Sequence, residues 1–297
     1  MNRILVTDGN GYFYETKFNR PEITDNQICV QSIMTGVCRS DIDMMQGNFG
    51  PLPIHMQGHE GLGKVIEVGK NITDVSIGDL VATRGEPGYA DEYNAEYGTY
   101  VKVPEAHPRY IIEPVACGIN VILQPIMELQ KREGPNKRLL ILGSGFLAWV
   151  VYNAIHLTNL SYDITIVGNS NKNVWGDLLQ ANYEGQFDVI VDLSNKDDVF
   201  KLPIVKDEAL VIMGVQKQII TDFSNLLWKA CTMVFPSPRS NEFYNAMIMA
   251  AQNIKDKHLN VDPFWTIGYD RDYNWKLAFT DSLNRPSGFS RAYIRWN

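Results

Sequence analysis

Hydrophobic and polar positions divide the chain into three textures. Over roughly the first hundred residues, short runs rich in Val, Ile and Thr ("RILVT", "QICVQSIMTGV", "GKVIEVG", "DLVATRG", "TYVKVP") are separated by Gly, Pro, Asn and Asp. That is the pattern of short β-strands and turns. Within it, "EVGKNITDVSIGDLVA" reads as a strand, a polar turn and a second strand. Near residue 111 the period lengthens. "IIEPVACGINVILQPIMELQKR" carries apolar residues at helical spacing, with Pro114 suited to a first helical turn. After the polar break "EGPNK", "RLLILGSGFLAWVVYNAIHLTN" predicts a buried strand, a glycine turn and an amphipathic helix. "DITIV", "FDVIVDL" and "ALVIMGV" follow as strands between helix-like segments such as "ITDFSNLLWKA". From about residue 241 a helix, "NEFYNAMIMAAQNI", leads to a strand, helix and strand, "FWTIGY", "WKLAFTDSL" and "RAYIRW".

Strands alternating with helices predict a parallel, doubly wound sheet. The tail resembles the first texture more than the second. The expected organisation is therefore an α/β chain in which a nucleotide-binding domain, residues 119–240, is enclosed by a β-rich domain built from 1–118 and 241–297. The turn "ILGSGFLA" supports this, because Gly143, Gly145 and Ala148 have the G-x-G-x-x-G/A spacing. The first glycine makes the tight turn, the second lets backbone approach a pyrophosphate, and the third small residue lets the helix pack on its strand. An NAD site usually has a carboxylate at the end of the next strand. Here "DITIVGNSNKN" has Asp163 at its start, while its end offers Gly168, Asn169, Ser170 and Lys172. Losing the carboxylate removes repulsion against a 2′-phosphate and slightly favours NADP over NAD.

Composition narrows the partners. At 297 residues the chain has room for two domains. Its 45% hydrophobic and 21% charged residues are globular proportions, and the net charge of −7 weighs against a general nucleic-acid backbone binder. A small-molecule partner is expected. Cys29, Cys38, Cys117 and Cys231 form no C-x-x-C pair and read as reduced thiols. The opening "MNRILVTDGNGYF" has no apolar core of signal-peptide length, and the longest apolar stretch, Leu139 to Val151, is too short to cross a membrane. A cytoplasmic protein with no membrane partner is expected.

"GVCRSDIDMMQGNFGPLPIHMQGHEG", residues 36–61, sets Cys38, His59 and Glu60 among glycines and prolines. A catalytic zinc takes three protein ligands from Cys, His and carboxylate. Cys38 and His59 are on separate loop segments, too far apart in sequence for a finger-type knuckle, and the third ligand could be Glu60 or Glu113. Taken singly, each has an ordinary reading, a small buried thiol or a satisfied polar group.

Several motifs in order, "GVCRSD", "GHEGLGKVIEVGKNITDVSIGDLVA", "IIEPVACG", "LLILGSGFLA" and the ending "AFTDSLNRPSGFSRAYIRW", resemble the medium-chain dehydrogenase/reductase family, in its zinc-dependent alcohol and polyol dehydrogenase branch. The resemblance covers most of the chain and implies a GroES-like catalytic domain with a Rossmann domain. It implies that Cys38 and His59 ligate one catalytic zinc, with Glu113 at the third-ligand position and Glu60 as the carboxylate beside the metal. Asp41 matches the residue that orients the ligand histidine, Ser40 the hydroxyl that relays the substrate proton, and Arg39 a residue reaching the cofactor pyrophosphate. Members of the family pair through their Rossmann domains, so a homodimer or homotetramer is expected.

The chain also departs from that pattern. The four-cysteine structural-zinc lobe is absent, replaced by the short "RGEPGYADEYNAEYGTYVKVP". Asp43 stands where some members carry a histidine that extends the proton relay, and the segment between "VGNSN" and "FDVIVDL" is too short for a full strand and helix. "YADEYNAEYGTY" suits either a substrate mouth or a shortened surface loop. Cys117 and Cys231 are expected in the core, and His107, His156 and His258 in surface or structural positions. Asp192 and Ser194 close a strand near the expected nicotinamide ribose. The function implied is zinc-dependent hydride transfer between NAD(P)(H) and an alcohol, polyol or carbonyl compound. Two alternatives stand beside it: a zinc-free quinone-reductase-like enzyme, and a binding protein that kept the fold.

Overall fold

The computed structural model describes residues 2–48, 53, 56–194, 204–215 and 224–296. Two compact units divide it: residues 1–115 with 247–297, and residues 116–246.

The first unit begins with a hairpin, β1 (Arg3–Val6) against β2 (Tyr14–Lys17). The long strand β3 (Gln27–Gly36) follows and ends at the short helix α1 (Arg39–Met45). Next come β4 (Gly61–Val68), β5 (Leu80–Thr83), β6 (Glu92–Glu96) and β7 (Tyr100–Lys102). The helix α2 (Glu113–Leu123) leaves the unit with Pro114 in its first turn, where a missing N–H costs nothing.

Residues 89–100 differ from the expected loop or mouth. Tyr89, Tyr93 and Tyr100 are buried, and β6 pairs antiparallel with the first half of β3. Burying these rings supplies core volume to a short segment, while Tyr97 is left exposed.

The second unit holds α3 (Ile126–Gln130), β8 (Arg138–Leu142), α4 (Phe146–Leu157), β9 (Asp163–Val167), α5 (Lys172–Trp175), β10 (Leu179–Gln180), β11 (Phe187–Asp192), β12 (Val205–Met213) and β13 (Thr232–Val234). Among the described residues its six strands are all parallel, in the order β10-β9-β8-β11-β12-β13. This is a doubly wound sheet whose strand order reverses between β8 and β11, and its central strands read as continuous apolar runs. β10 and β13 are too short to register as strands in the sequence. Within "ITDFSNLLWKA" the expected helix is a 3-10 turn at Ser224–Lys229, and residues 220–223 lie outside the described residues. Between β9 and β10 there is one turn of α-helix and one 3-10 turn. Trp175 closes that gap, buried edge-on against Trp149 and Tyr152, with ring centroids 5.1 and 5.8 Å away.

The chain returns through α6 (Phe243–Lys255), β14 (Trp265–Asp270), α7 (Trp275–Asn284) and β15 (Arg291–Arg295). β15 pairs antiparallel with the end of β3, so the first unit's sheet runs β14-β15-β3-β4-β5-β7 with β6 also on β3. One apolar core of the unit joins Leu5, Phe13, Ile42 and Tyr89 to Phe279, Ile294 and Trp296. Among the described residues no helix is long and apolar enough to cross a membrane.

Asp188 fastens three strands of the second unit. Its carboxylate accepts hydrogen bonds from Lys137 Nζ (3.0 Å), Lys206 Nζ (2.9 Å) and the Arg138 backbone N–H (3.1 Å). Burial opposes its charge, but Lys206, the Arg138 N–H and Lys137 overcome that and hold its pKa below the ordinary value. The unfolded chain therefore binds this proton more readily, and the stabilisation is complete above the ordinary carboxylate pKa and lost as pH falls through the folded one. Asp188→Asn should lose about 1–3 kcal/mol at neutral pH. In urea titrations at several pH values, the variant should show a flatter dependence than the parent below about pH 4.

Candidate active site

The site is assembled where β3 ends. Gly36 N–H donates to Glu60 C=O (2.9 Å) and Val37 N–H to Ala292 C=O (3.0 Å), so this strand end is fastened to the His59–Glu60 segment and to β15. Cys38 is not on a loop as expected but is the N-cap of α1. Asp41, in the first turn, accepts the Cys38 backbone N–H at 2.8 Å, which satisfies a helix-end donor and fixes the cap. One ligand atom each from Cys38, His59 and Glu60 lie within 4.8 Å of one another.

Glu60 is fully buried and clamped by Arg291, whose Nη2 donates to Oε1 at 2.5 Å and also to Oε2. The Arg291 guanidinium lies over the Trp265 ring, 4.9 Å from its centroid. Glu113, buried at the start of α2, is close enough for its charge to act on both His59 and Arg291. Asp41 is also fully buried. Its Oδ2 accepts the Cys38 N–H and the Tyr89 hydroxyl (2.7 Å), while Oδ1 has no hydrogen-bond partner and lies 3.7 Å from His59 Nδ1. Ser40 Oγ is 3.5 Å from His59 Nε2. Arg39 is half exposed and pairs with Asp43, Nε to Oδ1 at 3.2 Å.

This donor set suits zinc. A thiol, an imidazole and carboxylates are the groups zinc selects. Burial would depress the charged form of His59, but Asp41, then Cys38 and Glu113, more than offset it and hold its pKa well above the usual imidazole value. The folded site thus favours a positive charge at this ring. The free Oδ1 of Asp41 is positioned to take Nδ1–H when Nε2 faces a metal, the usual outer support of a ligand histidine.

Two glycines make room for these groups. A Cβ on Gly36 would come 2.0 Å from Glu60 Oε2. Gly58 has φ +78°, and its Cβ would lie 2.6 Å from the Tyr89 ring. Tyr89 and Arg291 are the two site residues that the sequence reading did not single out. The glycine next to the histidine is a signal for the first, and the second stands in the C-terminal stretch that carries the family resemblance.

In the second unit, Gly143 has φ +121° and donates its N–H to Val167 C=O at 2.8 Å, which makes the tight turn between β8 and α4. Gly145 is the N-cap of α4 and has no atom within 4 Å of the position of a Cβ, so its backbone is open to a ligand. Ala148 is buried one turn on. Ser144 Oγ accepts the Ser170 N–H (2.9 Å), and Ser144 C=O accepts from Asn171 Nδ2 (3.0 Å) and Trp175 Nε1 (2.9 Å). These bonds tie the glycine turn to the end of β9, where Asn169, Ser170 and Lys172 are exposed. Asp163 lies at the opposite end of β9. Asp192 is buried and accepts both the N–H and the hydroxyl of Ser194.

Cys117 and Cys231 are half-buried rather than core, whereas Cys29 is fully buried. His107 Nδ1 accepts from Arg109, His156 stacks edge-on against Tyr152, and His258 is exposed.

Residues 24–111 match the family model described as the alcohol dehydrogenase GroES-like domain. An NAD-dependent alcohol dehydrogenase of Sulfurisphaera tokodaii is 26% identical over 222 residues, 61% of this chain and 61% of that protein. A D-xylulose reductase of Scheffersomyces stipitis is 38% identical over 89 residues, 28% of this chain and 24% of that protein. The chain thus matches less than two thirds of either relative's length. A solved alcohol dehydrogenase superfamily protein from Novosphingobium aromaticivorans aligns over 100% of both chains with a TM-score of 0.79 at 18% identity, a likeness that establishes the fold.

Gly58→Ala should cost about 2–4 kcal/mol, because it combines a left-handed backbone with overlap on the Tyr89 ring. Chemical denaturation should show this as a lower midpoint with an unchanged slope.

Proposed function

We propose that this chain, which belongs to the medium-chain dehydrogenase/reductase family in its alcohol dehydrogenase-type branch, is a zinc-dependent oxidoreductase. Its reaction is hydride transfer between a nicotinamide dinucleotide and a small alcohol or polyol, or the corresponding aldehyde or ketone. The observation that carries this reading is the convergence of Cys38, His59 and Glu60, with Asp41 behind the histidine and Glu113 near it.

Cys38 and His59 supply two metal ligands and Glu113 the third. Both oxygens of Glu60 lie against Arg291, which leaves Glu60 as a carboxylate beside the ligand set. When bound, zinc supplies Lewis-acid polarisation of the substrate oxygen, and the dinucleotide supplies the hydride partner. Asp41, with Oδ1 3.7 Å from Nδ1, is positioned to take Nδ1–H and so to keep the Nε2 lone pair of His59 available. Ser40 is the hydroxyl near Nε2, placed to receive the proton of a substrate alcohol or return it to a carbonyl. Gly143, Gly145 and Ala148 form the pyrophosphate turn, and the family resemblance gives Arg39 the role of a cation for a pyrophosphate. Asn169, Ser170 and Lys172, with no carboxylate at the end of β9, favour NADP(H) over NAD(H). On this reading the protein is a cytoplasmic homodimer or homotetramer.

Plasma mass spectrometry on tag-free protein should find about one zinc per chain in the parent. Cys38→Ser should lose it, and turnover of alcohols or aldehydes with NADPH or NADH should fall more than ~100-fold. Zinc-free parent that still reduces substrates with NADPH would move the assignment to a quinone-reductase-like enzyme. Protein that binds neither zinc nor dinucleotide would be a binding protein on the same fold.

A further inference from the structure

We infer that Tyr89 is a positioning residue for the metal site, acting through Asp41 on His59, an inference that rests on the zinc reading above. Asp41 is fully buried, so its carboxylate cannot rely on water and must be held by protein donors. Two donors hold Oδ2: the Cys38 backbone N–H at 2.8 Å and the Tyr89 hydroxyl at 2.7 Å. With Oδ2 occupied twice, Oδ1 is the oxygen left to face His59 Nδ1, at 3.7 Å.

The Cys38 bond alone does not fix the plane of the carboxylate. A single hydrogen bond to Oδ2 leaves the carboxylate some play about its Cβ–Cγ bond, and a second donor from another segment, converging on the same oxygen, narrows it. The Tyr89 ring is itself fixed by edge-on packing against Phe13 and Phe279, with centroids 5.8 and 5.5 Å away. Gly58, immediately before the histidine, leaves the space the ring fills. Tyr89 remains a neutral phenol, and hence a donor, because burial and then the adjoining Asp41 charge raise its pKa well above the ordinary value. Packing therefore sets the ring, the ring sets the hydroxyl, and the hydroxyl sets the face that Asp41 turns to the ligand histidine. Outer partners of this kind alter metal affinity without touching the metal.

The test is Tyr89→Phe, which keeps the ring and removes only the hydroxyl. Competition with a chromogenic chelator should show zinc bound ~10–100-fold more weakly than by the parent. The cobalt(II)-substituted variant should show altered visible d–d bands, because the imidazole is no longer held in one orientation. Melting curves with and without zinc separate positioning from packing. A purely structural role lowers both midpoints equally, and that result overturns the proposal. A positioning role shrinks the zinc-dependent increment. In an Asp41→Asn background, Tyr89→Phe should add little further loss of affinity, whereas an undiminished additional loss overturns the route through Asp41. Parent-like zinc affinity and cobalt spectrum in Tyr89→Phe overturn the proposal alone. A parent chain that binds no zinc overturns both the proposal and the zinc reading.

Discussion

Two carboxylates without access to water, Asp41 and Glu60, set the conditions the first unit has to meet. A buried charge is tolerated only when donors or an opposite charge replace its hydration. The partners of these two come from separate parts of the chain: the Cys38 N–H from the start of α1, Tyr89 from the segment before β6, and Arg291 from β15. The site therefore exists only once β3 has paired with both β4 and β15, because that pairing carries Glu60 and Arg291 to the same end of the sheet. Folding of the sheet and assembly of the site are one event.

How much of this is legible in the sequence follows from range. "GVCRSD" and "GHEG" are local, and they announce a cysteine and a histidine with a carboxylate flanked by glycines. The doubly wound sheet is legible for the same reason, since a buried parallel strand writes its character into five or six consecutive apolar residues. Arg291 is not legible as the partner of Glu60, because 231 residues separate them and only the β15–β3 register joins them. Tyr89 is hidden differently. It stands in a run of tyrosines and acids that resembles an exposed loop, and nothing in that run says which rings are buried. α1 is missed as a helix because its seven residues are too few to show a helical period.

The second unit shows how a shortened segment keeps a sheet intact. One tryptophan replaces the apolar cover that a longer helix would give. Trp175 packs on Trp149 and Tyr152 of α4, and its indole N–H donates to Ser144 C=O in the glycine turn. The same residue thus fills the gap and braces the turn from behind. Gly145 is left open, so the bracing does not close the backbone face of the turn to an anion.

The contrast between the two buried carboxylates bears on what the site can hold. Glu60 meets a guanidinium at both oxygens, so its charge is balanced locally. Asp41 meets neutral donors at Oδ2, a backbone N–H and a phenol, and turns Oδ1 to His59; burial pushes its pKa above the ordinary carboxylate value, and the imidazole opposes that. A divalent cation beside Cys38 and His59 would find one carboxylate already neutralised, and another that acts only through the imidazole. On the proposed zinc reading, the carboxylate that would balance the ion beside the thiolate is Glu113, whose charge bears on His59. A thiolate and one carboxylate neutralise a dication without surplus. In a buried site that balance matters more than the number of acidic groups nearby, because each uncancelled charge carries its own desolvation cost.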